Sequence, residues 1–262
     1  PSGSISFLYF ADRINQLPLA LIGIAIGTAL LPKLSREIQC GELEKAKRSQ
    51  DHAMEFGMVL AVPAAVGLLV LSQPIISILF ERGAFSPMAV DATAQTLFCY
   101  ALGLPAFIIT KVLQPSFFAR YDTLTPVKVA SFMVLTNLVL NIILMQYLAH
   151  AGLALATSIS AWLNAAILAF ILKQKGLHQH SKKTYLRLVR TFMASAVMGM
   201  GLLGLIEFVG DSIFGLKNSN VLSLAALILL GLFLYIIPVF LFRVIRLSEV
   251  RQEIKSWVKK NQ

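Results

Sequence analysis

Apolar residues run along this chain in blocks of about twenty, parted by short polar connectors. Seven blocks stand out, at about 5–31, 53–72, 88–112, 127–148, 151–172, 188–209 and 221–243. A bilayer core about 30 Å thick takes roughly 20 apolar helical residues to cross. The pattern therefore predicts an all-α, polytopic membrane protein with about seven transmembrane helices. The first block is long enough to tilt or bend, and Pro18, Gly23 and Gly27 offer the places. Pro63 and Pro105 fall inside the second and third blocks. Prolines within spans are tolerated where packing or a cavity satisfies the freed backbone groups, which favours a moving or cavity-lining bundle.

Composition agrees with this reading. Of 262 residues, 57% are hydrophobic and 14% charged, and mean hydropathy is +0.74. A typical soluble domain carries about 25% charged residues. The net charge of +10 lies between the apolar blocks. A nucleic-acid binder would gather it in a stripe or a recognition helix, so no nucleic-acid partner is expected. Twenty of the 23 Lys and Arg fall in one alternating set of connectors and two in the other. The positive-inside rule makes the rich set cytoplasmic, which puts the C-terminus inside and residue 1 on the far side. The opening "PSGSISFLYF" has no initiator Met and no basic n-region, and reads as a mature end or a fragment whose upstream part is missing.

Three polar or amphipathic stretches are expected at membrane surfaces. Residues 33–56 read as a solvated surface helix, with Glu44 and Arg48 spaced to pair. Residues 73–87 read as an outer interfacial segment turning at Gly83. The tail 243–262, with Trp257 as an anchor, reads as resting on anionic phospholipid headgroups.

Arg13 is the one basic residue outside the connectors and tail. It lies nine residues into its span, about 14 Å deep. An Arg near mid-depth costs about 3 kcal/mol unless a partner or a wet cavity receives it. Two readings stand: a fixed interhelical pair or a side chain reaching the outer headgroups, and a cavity-facing anion contact. The second is favoured, because planar guanidinium donors match phosphate oxygens bidentately. Asp12 is adjacent and points about 100° away, so it pairs poorly with Arg13. Asn15 and Gln16 extend the cluster, as helix glue or as substrate contacts.

Asn137 and Asn141 share a face of the fourth span, and Thr157, Ser158 and Ser160 lie in the fifth. They form a polar seam or a weak cation site, and packing is favoured because neither span holds a carboxylate. In the connector 115–128, Arg120 and Asp122 follow an aromatic pair, and Thr125 is expected to cap a helix that Pro126 opens. This connector reads as a tight structural turn or as a gate touching substrate or another lobe. The small residues of 152–170 suit close helix packing. Cys40, Cys99 and the four His, including the loop pair His178 and His180, make no metal pattern. The chain has no GxSxG, HExxH, P-loop or dinucleotide fingerprint, so no enzyme is expected.

Three motifs occur in order: "YFADRINQLP…GIAIGTALLPKLS" from residue 9, "LFERGAFS" from 79 and "FFARYDTLTPVK" from 117. Together they resemble the MurJ/MviN family of the MOP exporter superfamily, across essentially the whole chain. The resemblance implies helices 8–14 of a fourteen-helix, MATE-like flippase of the bacterial inner membrane, with the other seven upstream. It implies that lipid II, the undecaprenyl-pyrophosphate-linked peptidoglycan precursor, is flipped to the periplasmic leaflet by alternating access. Arg13, with Asp12 and Gln16, would hold the anionic headgroup. Arg120, Asp122 and Thr125 would form part of the cytoplasmic gate. Residues 1–172 would be the C-terminal lobe of the core; 173–262 would add two helices, with a groove for the lipid tail, and the basic tail. Membrane potential or a monovalent cation would bias the cycle. A cation at Asn137, Asn141 and Thr157 would draw its charge compensation from the upstream half, since residue 141 is neutral. A MATE-like or polysaccharide-lipid exporter shares the scaffold and remains the alternative, ahead of a scaffold protein or a channel.

Overall fold

The structure is a computed structural model and describes residues 4–83, 85–176, 182–209 and 221–242. The tail with Trp257, the connector 210–220 and the pair His178 and His180 lie outside these residues. The regular elements are helices: α1 (Ser4–Gln39), α2 (Leu43–Phe80), α3 (Pro87–Phe118), α4 (Leu124–Gln174), α5 (Lys182–Val209) and α6 (Val221–Leu241). Among the described residues, six helices are long and apolar enough to cross a membrane. The protein is an all-α polytopic membrane protein.

Straight, the 51 residues of α4 would reach about 76 Å, over twice a bilayer core. Instead the backbone breaks at Ala149, with φ 48° and ψ −124°. Asn137 Nδ2 lies 3.3 Å from Ser160 Oγ. A straight helix would hold residues 23 apart at about 35 Å. α4 is thus a hairpin whose arms, 124–148 and 150–174, are the fourth and fifth apolar blocks. At the reversal, a side chain on Gly152 would collide with the Leu144 carbonyl oxygen.

Two of the predicted surface segments belong instead to long helices. α1 runs to Gln39 and α2 starts at Leu43, so only Cys40–Glu42 reverse the chain. Gly41, at φ 75°, donates its N–H to the Ile38 carbonyl, and the Glu42 N–H bonds to that of Glu37. These are the paired bonds of a Schellman ending, which uses glycine's left-handed freedom. Charged residues are good helix formers, so the spans continue into water rather than stopping at the membrane edge. Glu44 pairs there with Lys47 at 3.0 Å, rather than with Arg48. Residues 73–80 are likewise the last turns of α2 rather than a separate surface helix. α3 runs on to Phe118, which sets Lys111 well inside the helix, so Arg13 is not the only basic residue away from the helix ends. Ser86 caps α3, accepting from Ala89 N, and Pro87 opens it.

The core joins α1, α2, α3 and the second arm of α4 through Ile26, Met58, Ile108 and Leu168. Lipid tails are as apolar as these side chains, so association rests on close packing and interhelical hydrogen bonds. Small residues supply the closeness. A Cβ on Gly57 would stand 2.8 Å from Ile26 and 2.9 Å from Ile108. On Gly103 it would stand 2.6 Å from Ser158 Oγ. Ser158 donates to the Cys99 carbonyl at 2.6 Å, and Trp162 Nε1 to that of Leu102 at 3.0 Å. These contacts dock the second arm of α4 on α3. α5 and α6 attach to α2: Ala194, Met198 and Val239 pack beside Val59 and Val66, and Tyr235 Oη donates to the Val59 carbonyl at 2.7 Å.

Candidate functional site

The first group of predicted residues lies on one face of α1. Asp12, Arg13 and Gln16 fall within one helical turn, as their spacing requires. Arg13 and Gln16 are exposed on this chain, and Asp12 is half-buried. Gln16 links the other two: its Oε1 accepts from Arg13 Nη1 at 3.3 Å, and its Nε2 donates to Asp12 Oδ2. Asp12 and Arg13 therefore meet through an amide rather than directly. The Arg13 guanidinium also stands 4.9 Å from the centre of the Tyr9 ring, a cation–π contact. Asn15 turns the other way, into the core, where its Oδ1 has no partner among the described residues. The cluster thus offers a guanidinium held from two sides with its outer surface open. Around it the exposed face of α1 is apolar, with Leu17, Leu21 and Ile24.

The second group forms the turn between α3 and α4. The Asp122 N–H bonds to the Phe117 carbonyl and the Tyr121 N–H to that of Phe118, again a Schellman pattern. Tyr121 occupies the left-handed position, at φ 59°, where glycine is usual. Thr125 does not cap α4 as predicted. The helix begins at Leu124, and Asp122 accepts both the Thr125 N–H at 3.1 Å and its hydroxyl at 2.9 Å. A carboxylate placed before the first turn satisfies the orphan donors and suits the helix dipole. Lys175, at the far end of the hairpin, reaches Asp122 Oδ2 at 2.6 Å. That hydrogen bond, foremost, holds the Asp122 carboxyl below the usual carboxylate range. Arg120 turns back to the Ser116 carbonyl at 2.6 Å. Gln39 donates to Tyr121 Oη at 3.3 Å, joining the end of α1 to the turn. Arg120, Asp122 and Thr125 are thus engaged within the chain, while Tyr121 is exposed.

The third group is only partly assembled. Asn141 Nδ2 donates to Asn137 Oδ1 at 2.9 Å, and Asn137 reaches Ser160. Thr157 stays apart and bonds the Leu153 carbonyl of its own helix at 2.9 Å. Asn141 Oδ1 is buried without a partner among the described residues. The seam therefore runs through Ser160 rather than Thr157.

Sequence reading missed the link between α2 and α5. Glu55 Oε2 takes Arg187 Nη1 at 2.6 Å, and Oε1 takes the Thr184 hydroxyl at 2.7 Å. Glu55 is the one carboxylate in the second apolar block, which was the available signal. Lys111 was also passed over; it is exposed, and its stem lies beside Gly23 of α1. Two apolar hollows, sharing Trp162, lie where α5 meets α2, α3 and the second arm of α4. One includes Phe192 and Leu102, the other Leu188 and Ile109.

Residues 1–217 match the family model described as lipid II flippase MurJ. The chain belongs to the MurJ family. Similar MurJ proteins include one from Rhizobium tropici, described as a probable lipid II flippase, 37% identical over 258 residues. That match covers 97% of this chain and 48% of the relative. A second, from Rhizobium meliloti (strain 1021), is 40% identical over 230 residues, covering 88% of this chain and 42% of the relative. A solved MurJ structure, described as an inward closed conformation, superposes with a TM-score of 0.78 at 28% identity. It covers 93% of this chain and 48% of its own. The chain spans less than half the length of these MurJ relatives.

Proposed function

We propose that this chain is the C-terminal half of a lipid II flippase of the bacterial inner membrane, working with seven further helices upstream. The observation that carries the proposal is the open Arg13 guanidinium, about 14 Å into α1. A charge at that depth needs an anion or water beside it. Arg13 takes the pyrophosphate bidentately, while Gln16 and Tyr9 fix its direction and Asp12 anchors Gln16. The end of the bundle that gathers the basic residues faces the cytoplasm, and so does the C-terminal tail.

The cycle is alternating access: the lobes rock about a headgroup held near mid-membrane, and no bond is made or broken. The turn bearing Arg120, Asp122 and Thr125 is a rigid part of the cytoplasmic gate, presenting Tyr121 to the opening. The polyprenyl tail lies in the apolar hollows between α5 and the core, so residues 173–262 serve the tail and 1–172 the headgroup. The Asn137–Asn141 seam holds the α4 hairpin together. An inside-negative potential drives an anionic headgroup outward, by about 2.3 kcal/mol per charge per 100 mV.

The test is complementation by the full-length protein in cells depleted of their own flippase. Arg13→Ala is expected to abolish growth and outer-leaflet lipid II at normal protein level, and Arg13→Lys to restore part of both. Normal growth of Arg13→Ala would overturn the role given to Arg13. Outer-leaflet accumulation of another polyprenyl-linked sugar instead of lipid II would overturn the substrate.

A further inference from the structure

Lys111 lies seven residues before the end of α3, about 10 Å along the helix, among Ile108, Ile109, Val112 and Leu113. Its side chain is exposed and makes no hydrogen bond or ion pair with the described residues. Helical side chains lean toward the N-terminus of their helix. In α3 that is the end away from the basic end of the bundle, so the stem leads away from the cytoplasmic headgroups. It crosses α1 at Gly23, where a Cβ would stand 3.8 Å from Lys111 Cγ.

That crossing sets Lys111 on the side of α1 that holds the partner of Arg13. Gln16, Ala20, Gly23 and Gly27 follow one another at steps of four, three and four residues, so they form one stripe of the helix. Gln16 opens the stripe with its bond to Arg13. Gly23 lies ten residues beyond Arg13, about 15 Å of helix. A pyrophosphate is two phosphates sharing one oxygen, far too short to meet both cations. An extended peptide gains up to about 3.5 Å per residue, so a stem of about five residues covers the gap. The sugars of a lipid II headgroup are uncharged, and its carboxylates lie on the peptide. A lysine ammonium is a compact point charge, suited to one such carboxylate.

We propose that Lys111 binds a carboxylate of the headgroup's peptide while Arg13 holds the pyrophosphate. The inference rests on the lipid II reading and adds a specificity-determining residue to it. A polyprenyl pyrophosphate that carries only neutral sugars engages Arg13 and leaves Lys111 without a partner. The two cations, set apart along α1, thus select a headgroup by the distance between its two anionic groups.

The experiment measures binding to the full-length protein in detergent by native mass spectrometry. The probes are lipid II, lipid II with its peptide carboxylates converted to amides, and undecaprenyl pyrophosphate. Wild type is expected to bind lipid II about tenfold more tightly than the amidated form. Lys111→Gln is expected to lose that tenfold for lipid II and to bind the other two probes as wild type does, while Lys111→Arg keeps the preference. Arg13→Ala is expected to weaken all three. Unchanged lipid II binding by Lys111→Gln would overturn the proposal, as would equal wild-type binding of the amidated form. An equal loss for undecaprenyl pyrophosphate would also overturn it, by making Lys111 a pyrophosphate contact. Wild-type protein that binds none of the three would instead overturn the lipid II reading, and the role of Lys111 with it.

Discussion

Lys175 Nζ lies 2.6 Å from Asp122 Oδ2, and the contact closes the α4 hairpin at the end opposite its reversal. Asp122 does two things at once: it caps the first arm through Thr125 and holds the end of the second. The two roles separate by substitution. Asp122→Ala removes both and is expected to cost about 1–2 kcal/mol. Asp122→Asn keeps an N-capping side chain and loses only the ion pair, under about 1 kcal/mol because Lys175 is partly exposed. Thermal unfolding in detergent measures the difference. Its pH dependence has a definite sign. The folded carboxyl titrates below its unfolded value of about 3.9, so the advantage of wild type over Asp122→Asn is complete above that pH. It fades as pH falls through the folded value.

Tyr121 stands where the backbone favours glycine, at φ 59°. A β-branched residue fits that conformation worst. Tyr121→Val is expected to lower stability by about 1–2 kcal/mol, whereas Tyr121→Gly leaves it unchanged or raises it. Thermal midpoints with Gly level with or above Tyr, and Val below both, are the outcome that supports this; Val level with Tyr would contradict it.

Gly103 lets Ser158 approach the backbone of α3. Gly103→Ala sets a methyl 2.6 Å from Ser158 Oγ and 2.9 Å from its Cα, so the helices must separate. The expected cost is about 1–3 kcal/mol. Adding Ser158→Ala removes the hydroxyl but not the Cα, so it restores only part of the midpoint. Complete recovery would show that backbone approach is unimportant.

The Glu55–Arg187 pair is mostly buried, with side chains 12% and 20% exposed. Glu55→Ala removes the carboxylate that binds both Arg187 and Thr184 and is expected to cost about 1–3 kcal/mol, loosening α5 from α2. The double variant Glu55→Leu/Arg187→Met is expected to recover most of it, because neither charge then has to be desolvated. A double-mutant cycle on unfolding in detergent reads the coupling directly.

The sequence by itself determined the class of protein, the positions of the apolar blocks, the unequal charge of the connectors and the one Arg set early in a span. Each of these follows from hydropathy and charge summed locally along the chain, and each holds whatever the helices touch. It also carried the spacing that puts Asp12, Arg13 and Gln16 on one turn, because helical period fixes near neighbours. It misjudged where helices stop, since polar residues at 33–56 leave the membrane without leaving the helix, and Asp122 took the cap given to Thr125. Only the tertiary structure decided which distant groups meet: Ser158 with a carbonyl 59 residues away, and Arg187 with a carboxylate 132 residues away. Such contacts depend on how whole helices cross and on how near glycines let them come. Periodicity, which sees a few turns at a time, carries no record of either.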